Sequence, residues 1–422
     1  MPIMSAKETI AIIGSGWAGY NLAHSLDTKR YSVLVISPEA TSSLTPLLAS
    51  AACGLFNCQL AQEPIRRRNV NIKYLKATVE DIKFDKKMLI CKPAFESLND
   101  ERMEISYDKV IVAPGCKTNT FNTPGVEEHA FLVKNADDAN AIRSRLNEIL
   151  EIASLPCTSE ARQRELLHIA VVGGGPTGIE IAAELMDLFE GDLLKLYPHL
   201  QGKASVSIHD VAPLILSPFD RKLSEYATST LRHHRVEIKV NSHITQVSND
   251  SLETKEDGKI ACGMLIWATG NTHRPLVEKL DVLKSSHGWQ RIFTDDRLNI
   301  LDRQGTAIPS AYALGDAADI DGASLPTTAE VAVQKADYLA RLLNSPEGTN
   351  ETFKYTQRSL VAYTGAGDGV VQGKDGDEYT GYRAWLSWRA GNFFWTRSWR
   401  RKLLICMAWL MDWIDGREIA RR

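Results

Sequence analysis

Two glycine-rich turns, each placed where an apolar run gives way to a helical pattern, constrain this chain more than any other feature. The first follows the run 9–13 and reads Gly14-Ser15-Gly16-Trp17-Ala18-Gly19. Helical spacing (Leu22, Ala23, Leu26) and a second apolar run at 33–36 come next. That is the strand, turn, helix, strand order of a βαβ unit. The order recurs with a run at 169–172, the turn Gly173-Gly174-Gly175-Pro176-Thr177-Gly178, a helical pattern over 179–188 and a strand at 206–208. In such a turn the first glycine permits the bend, the second lets a pyrophosphate approach the backbone, and the third lets helix and strand pack closely. The helix start adds free amides and a positive dipole. One such turn is a weak signal; two in the right context predict an α/β chain with two Rossmann-like dinucleotide-binding domains. The N-terminal turn (Gly14, Gly16, Gly19) is assigned to FAD and the second (Gly173, Gly175, Gly178) to a nicotinamide dinucleotide.

The acids that close each unit are less alike. The first strand pair ends at Ser37, with Glu39 just beyond; the second ends near Asp210. An acid here accepts hydrogen bonds from a ribose, and Asp210 is expected to do so, a solvated strand-end acid being the alternative. No arginine follows it in Val211-Ala212-Pro213, so NADH is favoured over NADPH.

Between the two units, residues 79–91 and 103–112 alternate apolar and polar and read as inserted antiparallel strands. Residues 151–167 read as a solvated linker and 187–203 as an insertion. The resulting division is an FAD domain at 1–125 and 296–360, split around an NADH domain at 126–295, and a C-terminal membrane-association region at 361–422.

Composition narrows the partners. The net charge of -3 over 422 residues gives no reason to expect nucleic acid. Seven scattered cysteines lack a paired spacing and so argue against a secreted disulfide framework. The first strand starts so early that no leader is expected, and the apolar run 403–414, broken by Asp412, is too short to span a bilayer. Residues 383–422 are different. They hold nine Arg or Lys against three acids, and six of the nine tryptophans: Trp385, Trp388, Trp395, Trp399, Trp409 and Trp413. Interleaved Arg and Trp suit an interfacial helix on anionic lipid, and a homodimer surface can coexist with that contact.

Taken together, these residues resemble the type II (non-proton-pumping, rotenone-insensitive) NADH dehydrogenases, especially the fungal mitochondrial ones. The resemblance covers nearly the whole chain. Its specific stretches are 14–18, 31–38, 45–48, 63–65, 113–115, 124–125, 171–184, 265–271, 313–316, 325–328 and 413–417. It implies that Asp316 holds the ribityl chain of FAD, and that the loop with Leu325, Thr327 and Thr328 brings amides to the pyrimidine end of the flavin. Thr45, Pro46 and Leu47 would cover the ring, and Glu180 would sit by nicotinamide and flavin. Gly115 and Gly270 would mark strand-to-loop crossings between domains. The implied activity is transfer of a hydride from NADH to FAD, then of two electrons to a membrane quinone near Glu330, Gln334 and Tyr363, without ion pumping. The implied location is peripheral, on the mitochondrial inner membrane; the missing leader leaves a cytoplasmic one open.

Two departures from the family pattern stand out. The resemblance calls for Ala-Gln-x-x-x-Gln at the quinone pocket, and this chain has Ala329-Glu330-Val331-Ala332-Val333-Gln334. A buried carboxylate there would have a raised pKa and could give a proton to a reduced quinone, or mark another acceptor. Cys53 and Cys58 have the spacing of a redox pair in disulfide reductases of like architecture. No C-terminal histidine follows His287 to serve as acid/base, so two small apolar cysteines are expected. The rival functions are a soluble NAD(P)H-dependent flavoenzyme with another acceptor and an NADH-sensing flavoprotein resembling apoptosis-inducing factor.

Overall fold

The strand Glu8–Ile13 is the axis of the first sheet because alternate side chains on it enter two different cores. The computed structural model describes residues 7–67, 71–345, 351–374 and 376–417. In it, Ile10 and Ile12 pack with Leu22, Ala23, Val33 and Val35, whereas Ala11 and Ile13 pack with Ala77, Val79, Val110 and Val112. A period of two on a fully buried strand gives this division. Glu8–Ile13 pairs in parallel with Tyr31–Ser37 on one side and Lys109–Val112 on the other. The sheet extends to ten strands, and the inserted strands at one edge, Ile72–Lys83, Met88–Pro93 and Met103–Ser106, pair antiparallel. Lys109–Val112 joins the parallel part instead of that edge. The helices Trp17–Ser25 and Ala329–Asn344 supply Ala18, Tyr20, Ala332, Ala336 and Leu339 to the first core.

The chain divides into two compact units. One comprises Met1–Ser42, Pro64–Lys117 and Asn271–Thr356; the other comprises Ser43–Glu63, Thr118–Gly270 and Gln357–Arg422. The second unit has its own five-stranded parallel sheet, in the order Phe131–Leu132, Met264–Trp267, His168–Val172, Ser205–Asp210 and Val236–Val240. Its C-terminal part is a three-stranded meander, Ser359–Gly365, Asp368–Gly373 and Glu378–Thr380, followed by helices Tyr382–Trp395 and Trp399–Asp415.

The expected linker at 151–167 is not one. The helix Ala136–Ser154 runs into it, and a further helix, Glu160–Leu166, is capped by Ser159, whose Oγ accepts from Arg162 N at 3.3 Å. Gln163 and Leu166 are buried. Polar composition hid a short helix with only one buried side. The insertion is helical as expected but begins with a π turn, Leu188–Asp192, before Leu193–Leu196.

Candidate functional site

In the first unit the strand stops at Gly14, whose φ of +104° suits a glycine. A Cβ there would strike the carbonyl of Ala113, and one at Gly19 would strike that of Gly14, so both are needed for close packing. Gly16 is different. It is the N-cap of Trp17–Ser25, makes no side-chain cap, and a Cβ on it would meet nothing within 4 Å. Open space next to uncapped amides at a helix start is what a pyrophosphate requires. Ser37 ends its strand buried, its Oγ 2.9 Å from Ser15 Oγ, and Ser15 Oγ also donates to the carbonyls of Glu39 and Thr41. The turn is thus tied to the strand end by hydroxyls.

The second unit repeats this backbone. Gly173 has φ +117°, a Cβ at Gly178 would collide with the carbonyl of Gly173, and Gly175 caps Pro176–Asp187 facing open space. Pro176 occupies the first helical turn, where its missing N–H costs nothing. Asp210 sits at the end of Ser205–Asp210 with one oxygen accepting from Gly174 N (2.5 Å) and the other from Ala212 N (2.8 Å). Each oxygen keeps a further lone pair for an incoming hydroxyl. Both cradles therefore fit a dinucleotide.

The remaining first-unit candidates gather around one buried ion pair that the sequence reading missed. Arg291 Nη1 lies 2.8 Å from Asp319 Oδ2 and donates to Leu325 O at 3.0 Å. Asp319 accepts in turn from Leu325 N (3.0 Å) and Ser324 Oγ (2.7 Å). That pair fixes the loop before Thr328, which N-caps Ala329–Asn344 through Val331 N. Thr327 Oγ1 accepts from Asn271 Nδ2 at 3.5 Å. Asp316 lies in the turn Gly315–Ala317 and accepts from the thiol of Cys116 at 3.2 Å. Gly115 has φ +67° with open space at its Cβ position. Glu330 is half-buried in this unit, not buried as the sequence suggested. Gln334 Nε2 donates to Glu330 Oε1 (3.2 Å) and to Thr356 O (2.8 Å), and Gln334 Oε1 accepts from Thr356 N (3.1 Å).

The second unit holds the other candidates. Thr45, Pro46 and Leu47 form a 3-10 turn, with Leu47 buried. Gly270 has φ +76°, and a Cβ there would press on Asn119. Glu180 and Tyr363 are brought together. Glu180 is buried and accepts from Trp388 Nε1 at 2.8 Å, and Tyr363 stacks on that indole at 4.8 Å. Burial pushes the Glu180 carboxyl up to about 8, against the opposing effect of the Trp388 bond. One helical turn on, Glu184 accepts from Ser50 Oγ (2.7 Å) and pairs with Arg417 (3.0 Å). A turn further, Asp187 accepts from the Tyr363 hydroxyl and from Ala366 N. The spacing Glu180, Glu184, Asp187 puts three acids on one face of an otherwise apolar helix. That pattern was readable; its partners, on the distant C-terminal segment, were not.

That segment is clamped at both ends by buried acids. Glu63, fully buried, accepts from Ser398 N (2.9 Å) and pairs with Arg401 (3.1 Å) at the start of Trp399–Asp415. Arg417, just past its end, reaches Glu184 and Asp192. Of the six tail tryptophans only Trp399 (74% exposed) and Trp413 (83%) are fully exposed; Trp388 is buried. Leu403, Met407, Leu410 and Ile414 share their exposure. Residues 418–422 of the basic tail lie outside the described residues. No helix among the described residues is long and apolar enough to cross a membrane. Cys53 and Cys58 are buried thiols whose pKa is raised by desolvation.

Residues 8–336 match the model of the pyridine nucleotide-disulphide oxidoreductase family. The chain is 33% identical over 421 residues to a probable NADH dehydrogenase of Dictyostelium discoideum, covering 98% of this chain and 91% of that one. It is 29% identical to the external alternative NADH-ubiquinone oxidoreductase, mitochondrial, of Yarrowia lipolytica, covering 100% of this chain and 82% of the other. Among solved structures, NDH2 of Plasmodium falciparum in complex with NADH superposes with a TM-score of 0.89 at 25% identity, over 99% of this chain and 100% of that one.

Proposed function

Because the chain belongs to the pyridine nucleotide-disulphide oxidoreductase family, and within it to the type II NADH dehydrogenases, we propose that it carries electrons from NADH through FAD to a membrane quinone without pumping ions. The full-length likeness to an NADH complex carries this reading, since both glycine cradles lie within the matched chain. FAD supplies the hydride-accepting chemistry when bound, so the protein needs no acid or base for that step. In this assignment Gly14, Gly16, Gly19 and Ser37 receive the FAD pyrophosphate and ribose side. Asp316 takes the ribityl chain, and Leu325, Thr327 and Thr328 offer the amide end of a helix to charge developing on the flavin. Gly115 and Gly270 keep the crossings, and Thr45, Pro46 and Leu47 the cover, that the resemblance gives them. Gly173, Gly175, Gly178 and Asp210 hold NADH.

Glu180, Glu330, Gln334 and Tyr363 are assigned to the quinone side. Glu180 suits proton supply there, since burial keeps its carboxyl protonated up to about pH 8. The exposed stripe from Trp399 to Ile414 is assigned to the lipid surface of the mitochondrial inner membrane, in keeping with the mitochondrial relative. The domain division follows the same logic, with 1–125 and 296–360 for FAD and 126–295 for NADH. Steady-state NADH turnover with a short-chain ubiquinone, beside ferricyanide as an acceptor that needs no quinone site, tests the function. Rapid ferricyanide reduction without quinone turnover would refute the acceptor. Replacing both Trp399 and Trp413 by Ser should release the protein from anionic liposomes while leaving ferricyanide reduction intact.

A further inference from the structure

The helix Ala329–Asn344 buries a stripe of Val331, Ala332, Lys335, Ala336 and Leu339. One member of that stripe is a lysine with 0% of its surface exposed. Its Nζ reaches a single acceptor, the carbonyl of Ala318, at 3.4 Å. Arg291 Nη2 already donates to that same carbonyl at 2.7 Å. The acid nearby, Asp319, is engaged by Arg291 at 2.8 Å, and no ion pair to Lys335 occurs among the described residues. Two cations thus crowd one buried carboxylate, with half-buried Asp316 as the second acid acting on Lys335. An ammonium with three donors and one long hydrogen bond in an apolar stripe is costly, and a Leu or Met there would be cheaper for the fold. Such a cost is met where the charge serves a site.

The site is close at hand. The carbonyl of Ala318 and the side chains of Arg291 and Asp319 hold both the N–H and the C=O of Leu325. That loop carries the amides assigned to the flavin. We propose that Lys335 is a positioning residue of the first unit: a buried, uncompensated positive charge behind the Leu325–Thr328 loop that raises the reduction potential of the bound flavin. The inference rests on the assignment of FAD to this unit. Lys335 does not touch the flavin in this account; its charge acts through Ala318, Arg291 and Asp319 across a medium of low dielectric.

Burial and the neighbouring Arg291 lower the Lys335 pKa to about 8, with Asp319 and Asp316 opposing. Negative charge arriving on reduction would favour the ammonium and raise that pKa. Above about pH 8 reduction then takes up an additional proton at Lys335, so the potential falls more steeply with pH than it does below. This gives the proposal a signature that packing alone does not.

The test is the two-electron midpoint potential of the flavin in the purified holoprotein, titrated spectroscopically from pH 6 to 10. It compares the natural protein with Lys335→Met and Lys335→Arg. Lys335→Met should shift the equilibrium toward oxidised flavin by about tenfold at pH 7, which is about 30 mV for a two-electron couple. It should also lose the steeper limb above pH 8. Lys335→Arg keeps its charge throughout, so it should hold the natural potential at pH 7 and likewise lose the limb. A natural protein with no change of slope near pH 8, or a Lys335→Met potential equal to the natural one, overturns the proposal. Should Lys335→Met fail to fold, the Lys335→Arg profile decides, because a retained limb in that variant also overturns it. A natural protein that binds no flavin would instead overturn the FAD assignment, an outcome visible from its colourless spectrum.

Discussion

The two glycine cradles are nearly identical in backbone and quite different in what stands behind them. Gly14 and Gly173 share a positive φ, Gly19 and Gly178 share a close approach to the strand, and Gly16 and Gly175 share open space at the helix start. Behind the first cradle, Trp17–Ser25 packs by apolar side chains on Ala329–Asn344. Behind the second, Pro176–Asp187 presents Glu180, Glu184 and Asp187 to Trp388, Arg417 and Tyr363. A dinucleotide fingerprint therefore specifies one end of a helix and leaves its flank free. In the second unit the flank carries buried charge, which ties the nucleotide fold to the C-terminal segment.

The contrast breaks most sharply at Arg417. Replacing it with Ala strands Glu184 as a buried carboxylate without its ion pair, a change that costs about 3–5 kcal/mol. Urea unfolding should register the loss, and Glu184→Gln combined with Arg417→Met should recover most of it. If Arg417→Ala alone is neutral, the flank is not held by that pair.

The cradles themselves should separate the cofactors. Gly16→Val fills the first open space and should yield colourless protein. Gly175→Val should stay yellow and lose NADH affinity by on the order of 100-fold, about 2.7 kcal/mol. Flavin absorbance and NADH titration read the two outcomes, and a Gly175→Val protein that loses its flavin would merge what we separate.

A smaller effect follows from Glu180. Its folded pKa of about 8 lies above the ordinary carboxyl value, so protonated Glu180 contributes stability that is complete at acid pH and lost as pH rises through about 8. Glu180→Gln keeps an acceptor for Trp388 without the ionisation. It should match the natural protein near pH 5 and exceed it above pH 8 by roughly tenfold or more in the folding equilibrium. Equal stability of the two proteins at pH 9 would contradict this.

Asp210 gives the smallest expected change. Asp210→Ala should lower kcat/KM for NADH by about tenfold, about 1.4 kcal/mol, and narrow its lead over NADPH. Part of that loss comes from the freed amides of Gly174 and Ala212. A natural protein that uses NADPH as well as NADH would remove the basis for the assignment.

Both cradles and the α/β class were legible because glycine's role there is local: turn, close approach and phosphate space lie within six residues. The flank of the second helix was half legible. Three acids at helical spacing in an apolar stretch called for partners, yet Trp388 and Arg417 lie more than 200 positions away and no spacing rule connects them. Arg291, Asp319 and Lys335 were not found at all, since a buried cation in a helical stripe reads from sequence as one more polar surface residue. Glu330 shows the opposite error. Its position beside a proposed quinone pocket suggested burial, but at the second position of Ala329–Asn344 it remains half-exposed at the helix start.

The two acid clamps on Trp399–Asp415 change what that segment is. A basic, tryptophan-rich terminus invites treatment as a detachable appendage, to be trimmed when a soluble protein is wanted. Here both ends of the helix are held by carboxylates buried in the second unit, Glu63 and Glu184. Its amides should consequently exchange with solvent only in openings that also disturb the core, and Arg400, Arg401 and Lys402 should resist trypsin in spite of their surface location. Trimming would leave two buried acids without their arginines. A shortened protein that lost activity would then report a damaged interior as much as a missing surface, and point substitutions at Trp399 and Trp413 are the cleaner probe of that surface.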